Sequence, residues 1–279
     1  MTVQTRILAR AASTTAVLNF LKPMSERPRT LQYEAPPGVP QRNAEDEAHV
    51  VEIHDARPLA GRLSLDAEGF ELLPAPNNFA AFDDDAAIRS FYYPKVQHLL
   101  AGATGARRVI AFDHNVRNAA RAASGEAGIR GPVPRTHNDF TARSGRERAL
   151  AELAARGIDA SLLDGRFAIV NLWRPIGRKV EKWPLALVDA RTLGPDDLVA
   201  TDLVYRDRVG ETYSLGFSAG QTWYYFPWLT PDEAILIKGY DSREKGVARF
   251  TAHSAFEDPQ SPAGAPERES IEVRALVVY

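Results

Sequence analysis

The residue pattern with the clearest chemical meaning is a His-x-Asp tripeptide, His137-Asn138-Asp139, in a short extended segment. Residues two apart on a β-strand point to the same face, so His137 and Asp139 could bind one metal ion together. His253, in the extended segment 250–253, is the candidate for a third ligand from a distant strand. Two histidines and one carboxylate on one side of Fe(II) leave the remaining coordination positions open.

The tripeptide alone is a weak signal, because so short a motif also arises by chance. On its own it is more often a solvent-exposed loop pair, or includes a core histidine with a hydrogen-bond partner. Arg268 and Ser270, at the start of the last predicted strand, again share one face. A guanidinium beside a hydroxyl suits the far carboxylate of 2-oxoglutarate, whose keto acid end would chelate the iron. Arg274, six residues after Arg268, would point to the same face of the strand and is the alternative anchor for this carboxylate.

Five further residues are candidates for contact with a small-molecule substrate: Arg135, Asn171, Trp173, Arg174 and Tyr225. Trp173 and Arg174 end a buried strand and point in opposite directions, so one of them is expected at the mouth of a barrel. Asn171 shares the face of Trp173, and core packing is the alternative role for it and for the aromatic cluster around Tyr225. Arg135 could bind a carboxylate.

A second polar group, Asp113, His114 and Arg117, follows an apolar strand. These side chains could approach the iron or the substrate, but histidines in such positions more often brace neighbouring strands.

Composition narrows the classes of protein. The 279 residues include no cysteine, which excludes disulfides, Cys-ligated zinc and thiol nucleophiles, so that any metal must be held by His, Asp and Glu. The 34 basic and 36 acidic residues nearly balance, and this predicts neither a nucleic-acid nor an anionic-membrane partner. No segment is long and apolar enough for a membrane span, and we expect a soluble, cytoplasmic protein.

Hydropathy patterns predict a single domain over residues 1–279. Residues 1–47 are expected to form a strand, at 16–21, and an extended surface arm that could embrace a second subunit in a homodimer. Residues 48–279 are expected to form a mainly β core, a β-sandwich or a cupin-like jelly roll, with helices packed against one side. Helices are predicted from Asp83-Asp84-Asp85 to about residue 101, with a kink at Pro94, and at 145–156, with Ser144 as its cap.

Short strands are predicted at 50–54, 70–73 and 107–114, and then at regular intervals through the C-terminal half. The later ones are 167–174, 185–188, 199–205, 211–217, 223–227, 234–240, 249–252 and 270–278. Thr230 and Glu233 have the spacing of a capping box and predict a single helical turn between two of these strands.

Several segments also resemble a known family. The matching segments, spread from about residue 18 to the C-terminus, are Pro40–Asn43, Ile53–Arg57, Leu65–Phe70, Phe112–Arg117, Asn171–Ile176, Tyr224–Glu233, Tyr240–Ser242 and Arg268–Ser270. In this ordered set the chain resembles the AsaB-type hydroxylase/desaturase family, also described as CmcJ-like or cephem-methoxylase-related. The resemblance implies a non-haem Fe(II), 2-oxoglutarate-dependent oxygenase with a double-stranded β-helix.

By that resemblance, His137, Asp139 and His253 would bind iron, and Arg268 would bind 2-oxoglutarate. With dioxygen and 2-oxoglutarate as cosubstrates, a secondary metabolite would be hydroxylated or desaturated, and succinate and carbon dioxide would be the coproducts. Two alternatives stay open from the residues alone: a cupin-like metal- or metabolite-binding protein without turnover, and a metal-dependent dioxygenase that does not use 2-oxoglutarate.

Overall fold

The structure is a computed structural model that describes residues 12–126 and 128–279. Strands dominate this part of the chain. In chain order they are β1 (Ser13–Leu21), β2 (Arg29–Leu31), β3 (Asp46–Asp55), β4 (Phe70–Pro74), β5 (Arg108–Asn118), β6 (Ile129–Arg130), β7 (His137–Asn138), β8 (Phe167–Pro175), β9 (Leu185–Val188), β10 (Leu198–Val204), β11 (Val209–Leu215), β12 (Trp223–Tyr225), β13 (Glu233–Asp241), β14 (His253–Ala255) and β15 (Glu269–Val278).

Helices are few and short. They are α1 (Asp85–Ala87), α2 (Tyr93–Thr104), α3 (Ala119–Ala123) and α4 (Ala142–Ala154), with a π-helical turn at Ile88–Tyr92 and 3-10 turns at Arg57–Arg62, Ala160–Leu163 and Ala190–Thr192. The long helix predicted after Asp83 is therefore present in three pieces, and its irregular π turn lies directly before Pro94, which has no backbone N–H to donate. No helix of the described residues could span a membrane.

The strands form two sheets that pack face to face. One has nine strands in the order β1-β3-β12-β9-β14-β7-β11-β10-β2, and the other has six in the order β4-β13-β8-β15-β5-β6. Apolar side chains of both sheets meet in one cluster, where Trp173 of β8 and Ile235 of β13 lie with Leu187 of β9. This two-sheet β architecture with flanking helices is the jelly roll predicted from the sequence.

Strand β15 shows why the interior of the barrel carries polar groups. Ile271 and Val273 belong to the apolar cluster that includes α2, on the outer face of the six-stranded sheet. The alternate residues Ser270, Glu272 and Arg274 therefore point to the opposite, inner face, and all three are largely buried. A row of polar side chains inside a barrel is costly unless each finds a partner, so this row marks the inner site.

Three local predictions are corrected. Helix α4 begins after Thr141, not Ser144, because the Thr141 hydroxyl accepts from the Ser144 N–H and the Ser144 hydroxyl accepts from the Thr141 N–H. Thr230 and Glu233 form a turn and not a capping box: the Glu233 carboxylate accepts from the Thr230 N–H and hydroxyl, but the Glu233 N–H donates to the Thr230 carbonyl, and Glu233 begins β13. The strand predicted at 249–252 lies instead at β14, which places His253 at its first position.

Gly69 supports the segment that leads to His253. Its φ of +85° is left-handed, and an added Cβ would lie 1.8 Å from the Thr251 hydroxyl oxygen. That hydroxyl donates to the Gly69 carbonyl at 2.9 Å. Close approach of the backbone to Thr251 therefore requires glycine at this position.

We expect Gly69→Ala to lower the free energy of unfolding by about 2–4 kcal/mol, from left-handed strain plus overpacking. Gly246→Ala is the matched control, because Gly246 has a φ of +78° but nothing within 4 Å of an added Cβ. Urea denaturation of both variants measures the difference, and equal losses would show that the Thr251 contact contributes nothing.

Candidate metal centre

His137, Asp139 and His253 converge in the barrel. Strands β7 and β14 pair antiparallel with His137 opposite His253, and their ring centroids are 4.6 Å apart. Asp139 follows β7 directly, and its Oδ1 lies 3.7 Å from His137 Nε2. One ligand atom from each of the three side chains lies within 4.8 Å of the other two. Three such atoms could surround one metal ion on one side.

Backbone carbonyls orient both imidazoles. His137 Nδ1 donates to the Arg135 carbonyl at 2.8 Å, and His253 Nδ1 lies 3.5 Å from the Thr251 carbonyl. With the proton on Nδ1, the lone pair of each Nε2 is free for a metal. Burial lowers the pKa of His137 to about 4 and also lowers the pKa of His253. Both rings are therefore neutral at pH 7, as metal ligation requires.

Asp139 is held in place through its second oxygen. Oδ2 accepts hydrogen bonds from Asn171 Nδ2 at 2.7 Å and from Arg274 Nε at 2.8 Å, and Oδ1 faces His137. Burial would raise the pKa of Asp139, but the Arg274 guanidinium and the two imidazoles hold it well below its usual range. The carboxylate is therefore ionised and oriented towards the candidate ligand atoms.

Arg274 donates hydrogen bonds to three carboxylates. Besides Asp139, its guanidinium donates to Asp113 at 3.0 Å and to Glu272 at 2.7 Å. The alternative role predicted for Arg274, as the anchor of 2-oxoglutarate, would require it to leave these three carboxylates. In the structure Arg274 therefore contacts a candidate metal ligand, and these contacts favour a positioning role.

We expect Arg274→Met to weaken Mn(II) binding by about 10–100-fold, because loss of a group that orients a metal ligand typically has that effect. Equilibrium dialysis with Mn(II), a redox-inert substitute for Fe(II), measures the affinity, and a thermal melt checks that the variant is folded. Arg178→Met, at an exposed arginine, is the control. Unchanged affinity in folded Arg274→Met protein would contradict the positioning role.

Arg268, directly before β15, and Ser270, its second residue, are both buried. Arg268 donates to the Trp183 carbonyl and lies over the Trp173 ring, 5.2 Å from its centroid. Among the described residues, neither Arg268 Nε nor Ser270 Oγ has a hydrogen-bond partner. Burial, with a smaller contribution from nearby Arg117, lowers the pKa of Arg268 to about 9. A carboxylate would satisfy both orphan groups, so these residues fit the far end of 2-oxoglutarate.

Four of the five residues predicted to contact substrate are bonded to or packed against other groups of the protein. Asn171 is bonded to Asp139 and Trp173 packs against Arg268. Tyr225 is buried against Phe256 in the core. Arg174 points to the outer face of its sheet, where its guanidinium donates to the carbonyls of Ala75 and Pro231. In the structure these four side chains make positioning or packing contacts, and their contact with a substrate stays a prediction.

Arg135 is the exception, because it lines a cavity of about 820 Å³ that opens onto the candidate metal centre. His137, Asp139 and Arg274 form part of the same wall, as do Asp113, His114 and Arg117. His114 is hydrogen-bonded to Tyr93 of α2, so that it links its strand to a helix and not to a neighbouring strand. Asp113 and Arg117 point inwards from β5. Their spacing of four residues predicts a shared face, because side chains alternate along a strand.

Comparison with known proteins gives matches over nearly the whole chain. Residues 18–278 match the family model described as "YDMC: Oxidoreductase/YMDC permease-like domain". The chain is 37% identical to the Fe(II)/2-oxoglutarate-dependent dioxygenase nvfI of Aspergillus novofumigatus, over 92% of this chain and 94% of that protein. It is 32% identical to the hydroxylase/desaturase efuI of Hormonema carpetanum, over 82% of this chain and 83% of that protein.

The fold is also similar to that of solved structures. One of them, the iron and alpha-ketoglutarate-dependent endoperoxidase NvfI, superposes with a TM-score of 0.84 at 32% sequence identity. The alignment covers 96% of this chain and 98% of that one.

Proposed function

Because this chain belongs to the family of Fe(II)/2-oxoglutarate-dependent dioxygenases, we propose that it oxidises a small secondary metabolite at the centre formed by His137, Asp139 and His253. 2-Oxoglutarate and dioxygen are the cosubstrates, and succinate and carbon dioxide are the coproducts. The observation that carries the site assignment is the convergence of the three candidate ligand atoms within 4.8 Å.

The donor set fits iron. Two neutral imidazoles and one ionised carboxylate are the ligands typical of non-haem Fe(II) oxygenases, and they leave positions for a chelating cosubstrate and for dioxygen. When bound, Fe(II) and 2-oxoglutarate would activate dioxygen, the oxidant that removes hydrogen from a substrate carbon. The side chains of His137, Asp139 and His253 would hold the ion.

The chain's own residues position the reactants. Arg268 and Ser270 would bind the far carboxylate of 2-oxoglutarate, because both have unmet hydrogen-bonding groups on the inner face of β15. Arg274 and Asn171 keep one oxygen of Asp139 engaged, so that the other stays directed at the metal. The cavity beside His137 and Asp139 gives a substrate access to the centre.

At the finer level we place the chain in the AsaB-type, CmcJ-like group. The ordered segments of the sequence that resemble this group support the placement, and hydroxylase/desaturase is also the printed name of a relative. We therefore propose hydroxylation or desaturation of a C–H-bearing small molecule as the reaction.

Succinate release tests the proposed function. The purified full-length protein, supplied with Fe(II), ascorbate, 2-oxoglutarate and oxygen, is expected to form succinate, and N-oxalylglycine, a non-reactive analogue of 2-oxoglutarate, is expected to block it. A cupin-like binding protein would bind the metal without forming succinate. A dioxygenase of another type would consume oxygen without 2-oxoglutarate. Either result would contradict the proposal.

A further inference from the structure

The wall of the cavity beside the metal centre is rich in charged side chains, and its acids are already paired. Its acidic residues are Asp46, Asp83, Asp85, Asp113, Glu126 and Asp139. Each of them lies within ion-pair distance of an arginine. Asp46 pairs with Arg42 and Asp85 with Arg89, Asp83 and Glu126 both pair with Arg121, and Asp113 and Asp139 both pair with Arg274. These carboxylates therefore have no need of a further cation.

Three arginines of the same wall have no carboxylate partner among the described residues: Arg117, Arg130 and Arg135. Arg117 donates to the Gly131 carbonyl at 2.9 Å, a neutral acceptor. The acid whose charge acts on the pKa of Arg135 is Asp46, and Asp46 is itself hydrogen-bonded to Arg42 at 2.7 Å. Residues 1–11 and residue 127 contain no Asp or Glu. The cavity therefore has more positive charge than its own side chains neutralise.

The positions of these arginines make the excess charge unfavourable without a ligand. Arg117 and Arg130 are direct neighbours across the parallel pairing of β5 and β6. Like charges in that position repel each other. Burial lowers the pKa of Arg117, and Arg274 and Arg130 lower it further against the opposing effects of Glu272 and Asp139. An anion between the arginines would relieve the repulsion and accept their hydrogen bonds.

We propose that Arg117, Arg130 and Arg135 form an anion subsite that binds a carboxylate of the organic substrate. This inference rests on the proposed function and adds the substrate class: a carboxylic acid small enough for a cavity of about 820 Å³. Arg135 is two residues from His137 and offers it its own backbone carbonyl. A carboxylate held there would keep the rest of the substrate beside the metal centre. The far carboxylate of 2-oxoglutarate has its own residues, Arg268 and Ser270.

Binding of simple acids tests the subsite without knowledge of the natural substrate. The full-length protein is loaded with Mn(II) and 2-oxoglutarate and titrated by calorimetry. The probes are cyclohexanecarboxylic, adamantanecarboxylic and abietic acids, each paired with its methyl ester. We expect at least one acid to bind about tenfold or more tightly than its ester, because only the acid offers an ionised acceptor.

Variants assign that preference to the arginines. Arg130→Gln and Arg135→Gln are expected to reduce acid binding by about tenfold while leaving ester binding unchanged, and Arg130→Lys is expected to retain part of the preference. Arg178→Gln, at an exposed arginine outside the cavity wall, is the control. Arg130 and Arg135 are exposed, so both variants are expected to fold.

Three results would overturn the subsite: no binding of any acid, equal binding of acids and esters, or an undiminished acid preference in both Gln variants. Loss of 2-oxoglutarate affinity in these variants, with the acid preference intact, would instead assign the arginines to the cosubstrate and would also overturn it. Failure of the wild-type protein to bind Mn(II) and 2-oxoglutarate is a separate outcome, which contradicts the proposed function itself.

Discussion

Replacing His137 or His253 with alanine is expected to abolish stoichiometric metal binding and to lower succinate formation by more than about 100-fold. Loss of a group that merely orients a ligand already weakens a metal site by about 10–100-fold, and these changes remove the ligand itself. Each substitution leaves two donors of the three that lie within 4.8 Å of one another. Bound iron or manganese is measured by mass spectrometry after gel filtration.

His98→Ala is the matched control for both variants. His98 is an exposed histidine of α2 and lies apart from the three candidate ligands. It is expected to keep full metal content and turnover. Stoichiometric metal in both His137→Ala and His253→Ala would show that the ion, if any, is held elsewhere. Thermal melts without metal check that the variants keep their fold.

Replacing Arg268 with alanine is expected to raise the dissociation constant of 2-oxoglutarate by about 100-fold or more. Removal of one partner of a buried charge pair costs about 3–5 kcal/mol, and every 1.4 kcal/mol is a factor of ten. Arg268 is 3% exposed and would pair with the cosubstrate's far carboxylate. The constant is measured by titrating the Mn(II)-loaded protein, so that turnover does not enter.

A cosubstrate without the far carboxylate separates this role from a packing role. Wild-type protein is expected to bind 2-oxopentanoate much more weakly than 2-oxoglutarate, whereas Arg268→Ala protein is expected to bind the two alike. Arg268→Lys should recover part of the preference, because lysine keeps the charge but not the planar pair of donors. A preference for 2-oxoglutarate that survives in Arg268→Ala protein would contradict the assignment.

Much of the framework could be predicted from the sequence because it depends on local periodicity. The two-residue period of strands predicted most of the strand positions in the C-terminal half, and with them the jelly roll. The same period placed His137 with Asp139, and Arg268 with Ser270, on shared faces. Absence of cysteine restricted any metal site to His, Asp and Glu. None of these inferences requires knowledge of which strands are neighbours.

Local patterns were misleading where the same residues are compatible with two local structures. Thr141 and Ser144 can each cap a helix, and three-dimensional packing of α4 selects Thr141, whose hydroxyl also donates to buried Glu211. Thr230 and Glu233 have the spacing of a capping box, yet Glu233 begins β13, where its carboxylate also pairs with Arg57, which is distant in sequence. Contacts distant in sequence decide both cases.

The roles of the arginines depend entirely on tertiary structure. The sequence does not distinguish Arg174, Arg268 and Arg274. In the structure Arg174 points to the outer face of its sheet, Arg268 is buried with its Nε unpaired among the described residues, and Arg274 binds Asp139. The pairing of β7 with β14, which brings His137 opposite His253, is likewise a non-local fact. Sequence alone determined which side chains share a face of a strand, since that follows from backbone geometry. Only the packing of the two sheets decided which faces meet, because it depends on contacts among residues far apart along the chain.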